Sequence, residues 1–354
     1  MLYIVYTTGQ CNLKCKYCGG SFRKDRMPWE IKYKFNDLKN LIIKDKESYI
    51  CFYGGEPLLN LSFIKRVLKE VPAKKFILQT NGLLIRKVDV ELLNNFDAIL
   101  LSIDGVKEVT DIHRGEGVYD QVLENARWLK KIGFRGDLVA RMTLTEEGDV
   151  YRDVLHLLSL KIFDHVHWQL NVVWSERWKD FKGWVENNYL PNLSRLLNFW
   201  LENIENKRVY GIAPFKGILK RSIYGGSVPP CGSGTESVAI TTDGRVLACP
   251  IAVDGKWALL AEDLKNFRGL NNVFIREPCT SCNVLKECGG RCLYAYMEKL
   301  WGEDGFHEIC EITMWLVKKI REIRPKLFKM VESSSIDLND LIYPAYNNSV
   351  EIVP

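Results

Sequence analysis

Ten of the eleven cysteines in this chain fall into two compact sets. Cys11, Cys15 and Cys18 are spaced C-x3-C-x2-C, with Tyr17 just before the last. Cys231, Cys249, Cys279, Cys282, Cys288, Cys292 and Cys310 make the second set. Any fold this chain adopts must gather thiols at these spacings. Three closely spaced thiolates can hold three irons of a cubane cluster and leave the fourth iron open. An open iron can bind and activate a ligand, whereas a fully ligated cluster mainly passes electrons. The spacing therefore predicts one reactive iron–sulfur centre, with more iron–sulfur capacity downstream.

Composition narrows the classes that remain. At 354 residues, 47% of them hydrophobic, the chain can hold one large domain and a smaller one. No apolar run approaches a membrane span. The opening MLYIVYTTGQ lacks the zones of a signal peptide, so the expectation is a cytoplasmic protein with no membrane partner. In that compartment eleven cysteines point to metal ligands rather than disulfides. A net charge of +5 without a basic block argues against a nucleic-acid partner.

Short β-rich runs alternate with helical ones. Candidate strands are Leu2–Thr7, Tyr49–Tyr53, Lys74–Thr80, Ala98–Ile103, Asp137–Leu144 and His165–Val173, with helical patterns such as Ile31–Asp45, Val118–Lys131 and Val150–Leu160 between them. The alternation predicts an α/β fold, a partial six-unit parallel (β/α) barrel, short of the eight units of a closed one. Leu193, Leu196, Leu197, Trp200, Leu201 and Ile204 mark an amphipathic helix with Pro191 near its start. Gly211–Pro230 reads as a connector. Cys231–Cys310 reads as a loop-rich, cluster-stapled domain. Ile309, Ile312, Leu316, Ile320 and Ile323 predict a closing helix that stops at Pro325. The boundaries drawn are 1–185 for the barrel, 186–228 for the connecting helix and linker, 229–331 for the auxiliary domain and closing helix, and 332–354 for the polar tail.

The strand ends carry polar residues. Cys11, Cys15 and Cys18 follow the first strand, on the face where parallel barrels build active sites. A structural zinc site is the other reading, but it needs a fourth ligand; Cys51 is distant in sequence and no His is close. Gly54-Gly55-Glu56-Pro57 follows the second strand. Paired glycines allow close approach to the backbone, and exposed amides with Glu56 would suit an ammonium and carboxylate group. Thr80-Asn81-Gly82 ends the third strand and Ser102-x-Asp104-Gly105 the fourth. Arg141, within the fifth, could fork onto a carboxylate. Each alone is an ordinary turn or strand-end polar group; at successive strand ends they suggest one site.

C-x3-C-x-Tyr-C after strand one with Gly-Gly-Glu-Pro after strand two resembles the radical S-adenosylmethionine enzymes, over about residues 1–185. The resemblance implies a [4Fe–4S] cluster on Cys11, Cys15 and Cys18. It implies S-adenosylmethionine chelated to the open iron and split to a 5′-deoxyadenosyl radical that takes a hydrogen from the substrate. It assigns Gly54, Gly55 and Glu56 to the methionyl amine, and Asn81, Ser102, Asp104 and Arg141 to the rest of the cofactor.

In the second set, Cys279-x2-Cys282 alone would favour a zinc ribbon, but seven cysteines exceed one zinc site. Cys231-x12-Gly244-x4-Cys249, the dense quartet and Cys310 are similar to the SPASM domain of radical enzymes acting on peptides and proteins. That similarity implies two auxiliary clusters, an outer one on Cys279, Cys282, Cys288 and Cys310 and an inner one on Cys231, Cys249 and Cys292. The total is three clusters, with the inner one a cysteine short. Sulfatase-maturing relatives carry an Asp after the second motif cysteine as proton acceptor, whereas this chain has Pro250, which points away from that activity. The chain is similar to archaeal-type peptide-modifying members. The partners so implied are a peptide or protein substrate and a low-potential donor such as ferredoxin or flavodoxin. With the first strand beginning at Leu2, a separate leader-binding protein or the barrel itself would recognise a precursor peptide. A small-metabolite substrate, and a zinc-dependent binding protein, are the alternative readings, and the bond formed is open.

Candidate substrate contacts lie on the sixth strand, where alternation puts Gln169 and Asn171 on one face and Trp168 and Leu170 on the other. Trp174, Trp178 and Trp184 follow and suit packing. Cys51 reads as an inert strand cysteine, and His113 and Arg114 as loop polars. No residue stands out as a catalytic acid or base.

Overall fold

A computed structural model describes residues 1–172, 175–270, 274–344 and 353–354. In chain order its strands are β1 (Leu2–Thr8), β2 (Tyr49–Gly54), β3 (Lys75–Thr80), β4 (Ala98–Ser102), β5 (Asp137–Leu144), β6 (His165–Leu170), β7 (Ser237–Ile240), β8 (Val246–Leu247) and β9 (Leu259–Ala261). The first five match the sequence expectation to within one residue; the sixth, expected over His165–Val173, ends at Leu170, with Asn171 and Val172 outside the strand and Val173 outside the described residues. β1 to β4 alternate with helices, including Phe35–Ile42, Leu61–Glu70, Lys107–Arg114 and Val118–Lys131. The architecture is α/β around a parallel sheet.

The chain forms two compact units that interleave in sequence. One comprises Met1–Ile103, Lys107–Ala140 and Gly232–Val273; the other comprises Asp104–Val106, Arg141–Cys231 and Phe274–Pro354. In the first unit the strand order is β5-β4-β3-β2-β1-β7-β8-β9. β1 pairs parallel with both β2 and β7, and the ladder continues parallel through β3 to β4. β7, β8 and β9 form an antiparallel edge. Every residue of β1 is buried, as is every residue of β7. A strand covered on both faces reads as an unbroken apolar run, which LYIVYTT supplies. Cys51 is buried in β2 beside Ile4 and Ile77, consistent with its inert reading.

Three expectations change here. The region after Cys231 is not loop alone. It contains β7 to β9 and the helices Leu285–Cys288 and Leu293–Glu298, elements too short to show a period. Gly211–Pro230 contains a helix, Ala213–Tyr224, with Pro214 in its first turn and Gly225 ending it at a φ of +71°, a value that suits glycine. Nine of its twelve residues are buried, so it shows no polar face to betray it. The closing helix runs Gly302–Glu332, straight through Pro325. Proline removes one helical hydrogen bond, but Leu327 beyond it is buried and Lys326 pairs with Glu205, and these contacts hold the final turns in place.

In the second unit, Leu190–Glu205 confirms the amphipathic helix, burying Leu193, Leu196, Leu197, Trp200 and Ile204. Trp178 and Trp184 pack edge-to-face at 4.9 Å, and Trp178, Phe181 and Trp301 form one aromatic group. Trp174 lies outside the described residues, as does 345–352 of the tail. The tail residues before them, through the short helix Leu338–Leu341, line a cavity of about 630 Å³ with His165, Lys207 and Lys216. Among the described residues no helix is long and apolar enough to cross a membrane.

Candidate functional site

β1 ends in an irregularity: the register against β2 shifts between Tyr6 and Thr8. Such bulges re-aim a chain at sheet margins. Thr7 is tied down on both sides, its hydroxyl donating to the Pro57 carbonyl (2.9 Å) and its carbonyl accepting from Asn60 Nδ2 (2.8 Å). The chain then leaves the sheet into the thiol loop. The neck closes through Phe22 N to Gly9 O (2.8 Å) and Cys11 N to Ser21 Oγ (2.9 Å). Cys18 N and Gly19 N both donate to Cys15 O, at 3.1 and 2.9 Å, so Cys15 and Cys18 share one turn.

The loop is walled by two residues that the sequence reading left as loop polars. His113 and Arg114 form the last turn of the helix Lys107–Arg114 and are buried. Lys16 N donates to His113 O (2.9 Å), the Tyr17 ring lies 5.6 Å from the His113 ring, and the Arg114 guanidinium stands 5.4 Å from the Tyr17 centroid. The signal that could have found them is the tyrosine inside the thiol motif, which needs a partner for its ring.

The Gly-Gly-Glu-Pro turn is a backbone clamp. Gly55 N donates to Thr8 O (3.2 Å) and Glu56 N to Gln10 O (2.7 Å). The expectation of exposed amides at this turn is therefore corrected: the chain's own first loop takes them. The glycines are needed for the same reason. A Cβ on Gly54, whose φ is +149°, would lie 2.4 Å from Thr8 O, and one on Gly55 2.1 Å from Gln10 O. Glu56 is fully buried. Its carboxylate accepts from Leu58 N (3.0 Å), Thr80 Oγ1 (2.7 Å) and Asn81 N (2.8 Å). Burial outweighs these three bonds and raises its pKa to about 7. Asn81 carries the link onward: its Nδ2 donates to Asn12 Oδ1 (2.8 Å) and lies 3.9 Å from Cys11 Sγ. Strand ends one, two and three thus meet at the first thiol.

The thiols differ in ionisation. Burial pushes Cys11 up. Hydrogen bonding to Cys15 brings Cys18 down to about 6, with the Arg114 charge adding to the effect. A thiol at that value is a thiolate at neutral pH, the form that binds iron.

Ser102 sits half-buried at the end of β4. In the other unit, Asp104 is buried and accepts from Thr143 N (2.8 Å). Gly105 lets the loop pass against Asp153, whose Cβ would be 2.3 Å from a Cβ at Gly105. Arg141 Nη1 stands 3.3 Å from His167 Nδ1. Gln169 is the unusual group on β6: both side-chain amide atoms are buried without a hydrogen-bond partner among the described residues. Burying an unpaired amide is costly. Asn171 lies just past the end of β6; its N donates to Leu144 O (2.8 Å) and its carbonyl accepts from Ser175 Oγ.

The second cysteine set divides. Cys249 is buried in the first unit, where its charge contributes to raising the Tyr6 phenol. Tyr6 Oη also donates to the carbonyl of Pro250. Cys231 and Cys292 belong to the other unit. Cys279, Cys282 and Cys288 lie on successive turns, through Cys282 N to Cys279 O (3.0 Å), Leu285 N to Cys282 O (3.0 Å) and Cys288 N to Val284 O (2.8 Å). Cys310 faces them from the long helix. Burial raises Cys279 to about 12, with the fields of Cys310, Cys288 and Cys282 adding. Burial likewise raises Cys310 to about 11, against the opposing charge of Arg291. These four thiols therefore stand in one another's fields. The Leu285–Cys288 helix is braced by a fork from Arg321 to the buried Glu287 carboxylate, at 2.6 and 2.8 Å.

Among the described residues no group of three His, Cys, Asp or Glu side chains is placed to hold a metal ion. A cubane cluster spreads its thiolates over separate irons, so its ligands stand wider apart than those of one ion. The donor chemistry fits such a cluster: four thiols grouped together, and beside them Arg291, buried with Nε and Nη2 unpartnered.

Residues 5–159 match the family model described as the radical SAM superfamily. A cysteine-type anaerobic sulfatase-maturating enzyme of Clostridium perfringens (strain 13 / Type A) is 26% identical over 333 residues, covering 82% of this chain and 88% of that protein. Mycofactocin maturase MftC of Mycolicibacterium smegmatis is 26% identical over 315 residues, covering 81% of this chain and 76% of that protein. The solved structure of native anSMEcpe with bound AdoMet superposes with a TM-score of 0.67 at 20% identity, covering 91% of this chain and 100% of that one. That likeness extends the fold match through the cysteine-rich C-terminal part.

Proposed function

We propose, from the match of residues 5–159 to the radical SAM superfamily model, that this chain cleaves S-adenosylmethionine reductively and modifies a peptide or protein side chain by hydrogen abstraction. Its cofactors are S-adenosylmethionine and [4Fe–4S] clusters. The observation that carries the proposal is the convergence on Cys11: Asn81 reaches its sulfur, Glu56 holds Asn81, and the amide of Glu56 holds Gln10.

Cys11, Cys15 and Cys18 would hold the cofactor-binding cluster, which when bound supplies the electron that splits the sulfonium. The residues around it do positioning work. The Gly54–Glu56 clamp fixes the loop, and Tyr17 against His113 and Arg114 fixes its far side. Asn81 keeps an amide at the thiol. Ser102, Asp104 and Arg141 are assigned to the ribose and carboxylate of S-adenosylmethionine. Arg141 stands beside His167, its Nη1 3.3 Å from Nδ1, and its planar guanidinium is the group suited to a carboxylate.

Cys279, Cys282, Cys288 and Cys310 are assigned to an outer auxiliary cluster, supported by their shared field. Cys231, Cys249 and Cys292 are assigned to an inner one, completed by a ligand other than cysteine. The peptide or protein substrate is supported by the sulfatase-maturating enzyme, which acts on a protein by name and aligns over 82% of this chain. Gln169, with its unsatisfied amide, and Asn171 are assigned to substrate. Pro250 offers no carboxylate and its carbonyl is taken by Tyr6, which favours a reaction other than sulfatase maturation. No disulfide joins any of the eleven cysteines. The compartment assigned is the cytoplasm, where ferredoxin or flavodoxin would supply electrons and a separate protein would present a leader-bearing substrate.

Anaerobic reconstitution tests the reading. Brown protein that yields 5′-deoxyadenosine and methionine under dithionite is expected. Colourless protein with stoichiometric zinc contradicts it. Turnover of a small metabolite, with no peptide modified from a precursor encoded nearby, would keep the chemistry and overturn the substrate.

A further inference from the structure

The turn joining Cys288 to Cys292 is built against backbone preference. Gly289, Gly290 and Arg291 all take left-handed φ, at +59°, +78° and +56°. Glycine tolerates this, whereas an arginine side chain is strained there. Strain kept at a non-glycine residue points to what its side chain does there. Arg291 is only 5% exposed, and its Nε and Nη2 have no hydrogen-bond partner among the described residues. Those two atoms form one edge of the guanidinium, the edge that takes two acceptors side by side. No neighbouring carboxylate takes it: Glu287, the buried acid closest in sequence, is committed to Arg321. Its backbone is tied to the thiol turn, Arg291 N donating to Cys288 O (3.0 Å), so the side chain departs from between two cysteines of the second set, Cys288 and Cys292.

We propose that the Nε–Nη2 edge of Arg291 donates to the sulfur atoms of the outer auxiliary cluster held by Cys279, Cys282, Cys288 and Cys310, and so raises that cluster's reduction potential. This rests on the cluster assignment above. One electron from a low-potential donor reduces the cluster, no bond breaks, and the added negative charge falls beside a fixed buried cation. A charge in a buried site acts strongly, and hydrogen bonds to cluster sulfur are among the factors that set iron–sulfur potentials. The arrangement also gives the guanidinium acceptors that the protein alone does not provide.

The test is a potentiometric titration followed by electron paramagnetic resonance. It uses the full chain with Cys11, Cys15 and Cys18 changed to Ala, so that only auxiliary signals remain. Arg291→Met should lower the potential of one auxiliary cluster enough to shift its oxidised-to-reduced ratio at least tenfold, about 59 mV for one electron. Arg291→Lys, which keeps the charge and loses the fork, should fall between. Should Arg291→Met lose the cluster, the wild-type chain still decides: guanidinium-15N arginine should give a nitrogen coupling to one reduced auxiliary cluster, absent in Arg291→Lys. Unchanged potentials in both variants, or no nitrogen coupling in wild type, overturn the inference while leaving the cluster assignment standing. A chain that binds no auxiliary iron at all overturns both.

Discussion

Alanine at position 55 separates two explanations of the paired glycines. If they only make room for a ligand, Gly55→Ala weakens cofactor binding and leaves stability alone. If they clamp backbone to backbone, the protein itself suffers. The new Cβ would lie 2.1 Å from Gln10 O, 2.4 Å from Gln10 C and 2.9 Å from Cys11 N. These are all backbone atoms, so no side chain can swing aside. Relieving the contact moves the strand-end loop by about 1 Å and breaks Glu56 N to Gln10 O. Overpacking of this kind costs about 1–3 kcal/mol and a lost backbone hydrogen bond about 1 kcal/mol, giving about 2–4 kcal/mol together. Gly19→Ala is the control, since φ is +75° there but nothing lies within 4 Å; its cost is conformational alone, about 1 kcal/mol. The assay is denaturant unfolding of the apoprotein, with S-adenosylmethionine binding measured alongside. Gly55→Ala within 0.5 kcal/mol of wild type, with cofactor affinity lost, would refute the clamp.

Glu56, fully buried with its pKa raised to about 7 by desolvation, binds a proton in the folded state that the unfolded chain gives up near 4.5. Its stabilisation is therefore complete below about pH 4.5 and is lost as pH rises through about 7. Glu56→Gln, which removes the titrating proton, should flatten that slope in apoprotein unfolding, and an unchanged slope counts against the assignment. Glu287→Ala strands Arg321 and loosens the Leu285–Cys288 helix. It should lower iron retained after desalting while the Cys11 site still forms 5′-deoxyadenosine, and full iron retention would contradict the bracing role. Arg141→Ala should weaken S-adenosylmethionine binding by about 1.5–3 kcal/mol, the range for a hydrogen bond to a charged group; unchanged affinity in equilibrium titration removes Arg141 from that site.

The strands were legible because each is a short buried run bounded by turn residues, and the Val118–Lys131 helix because its buried positions follow the helical period. Ile31–Asp45 shortened to Phe35–Ile42 since Lys32 N is drawn to Thr242 O at 2.7 Å, a contact between residues far apart in sequence. Ala213–Tyr224 was hidden by burial around most of its surface. The thiol spacing named the site, but which groups brace it was not readable. The amides of Gly55 and Glu56 look free in sequence and are taken in space, and His113 and Arg114 acquire meaning only once their helix is set against Tyr17. Arg291 gave no sequence signal, since its strained φ and its unpartnered edge exist only in three dimensions.

The most direct measurement of the central claim is 5′-deoxyadenosine formation by the reconstituted chain, wild type against Cys11→Ala/Cys15→Ala/Cys18→Ala, with iron counted in both. The account predicts that the variant makes no 5′-deoxyadenosine yet keeps the iron of the second cysteine set. A variant that cleaves S-adenosylmethionine at the wild-type rate, or a wild type that never does so under reductant, would contradict it.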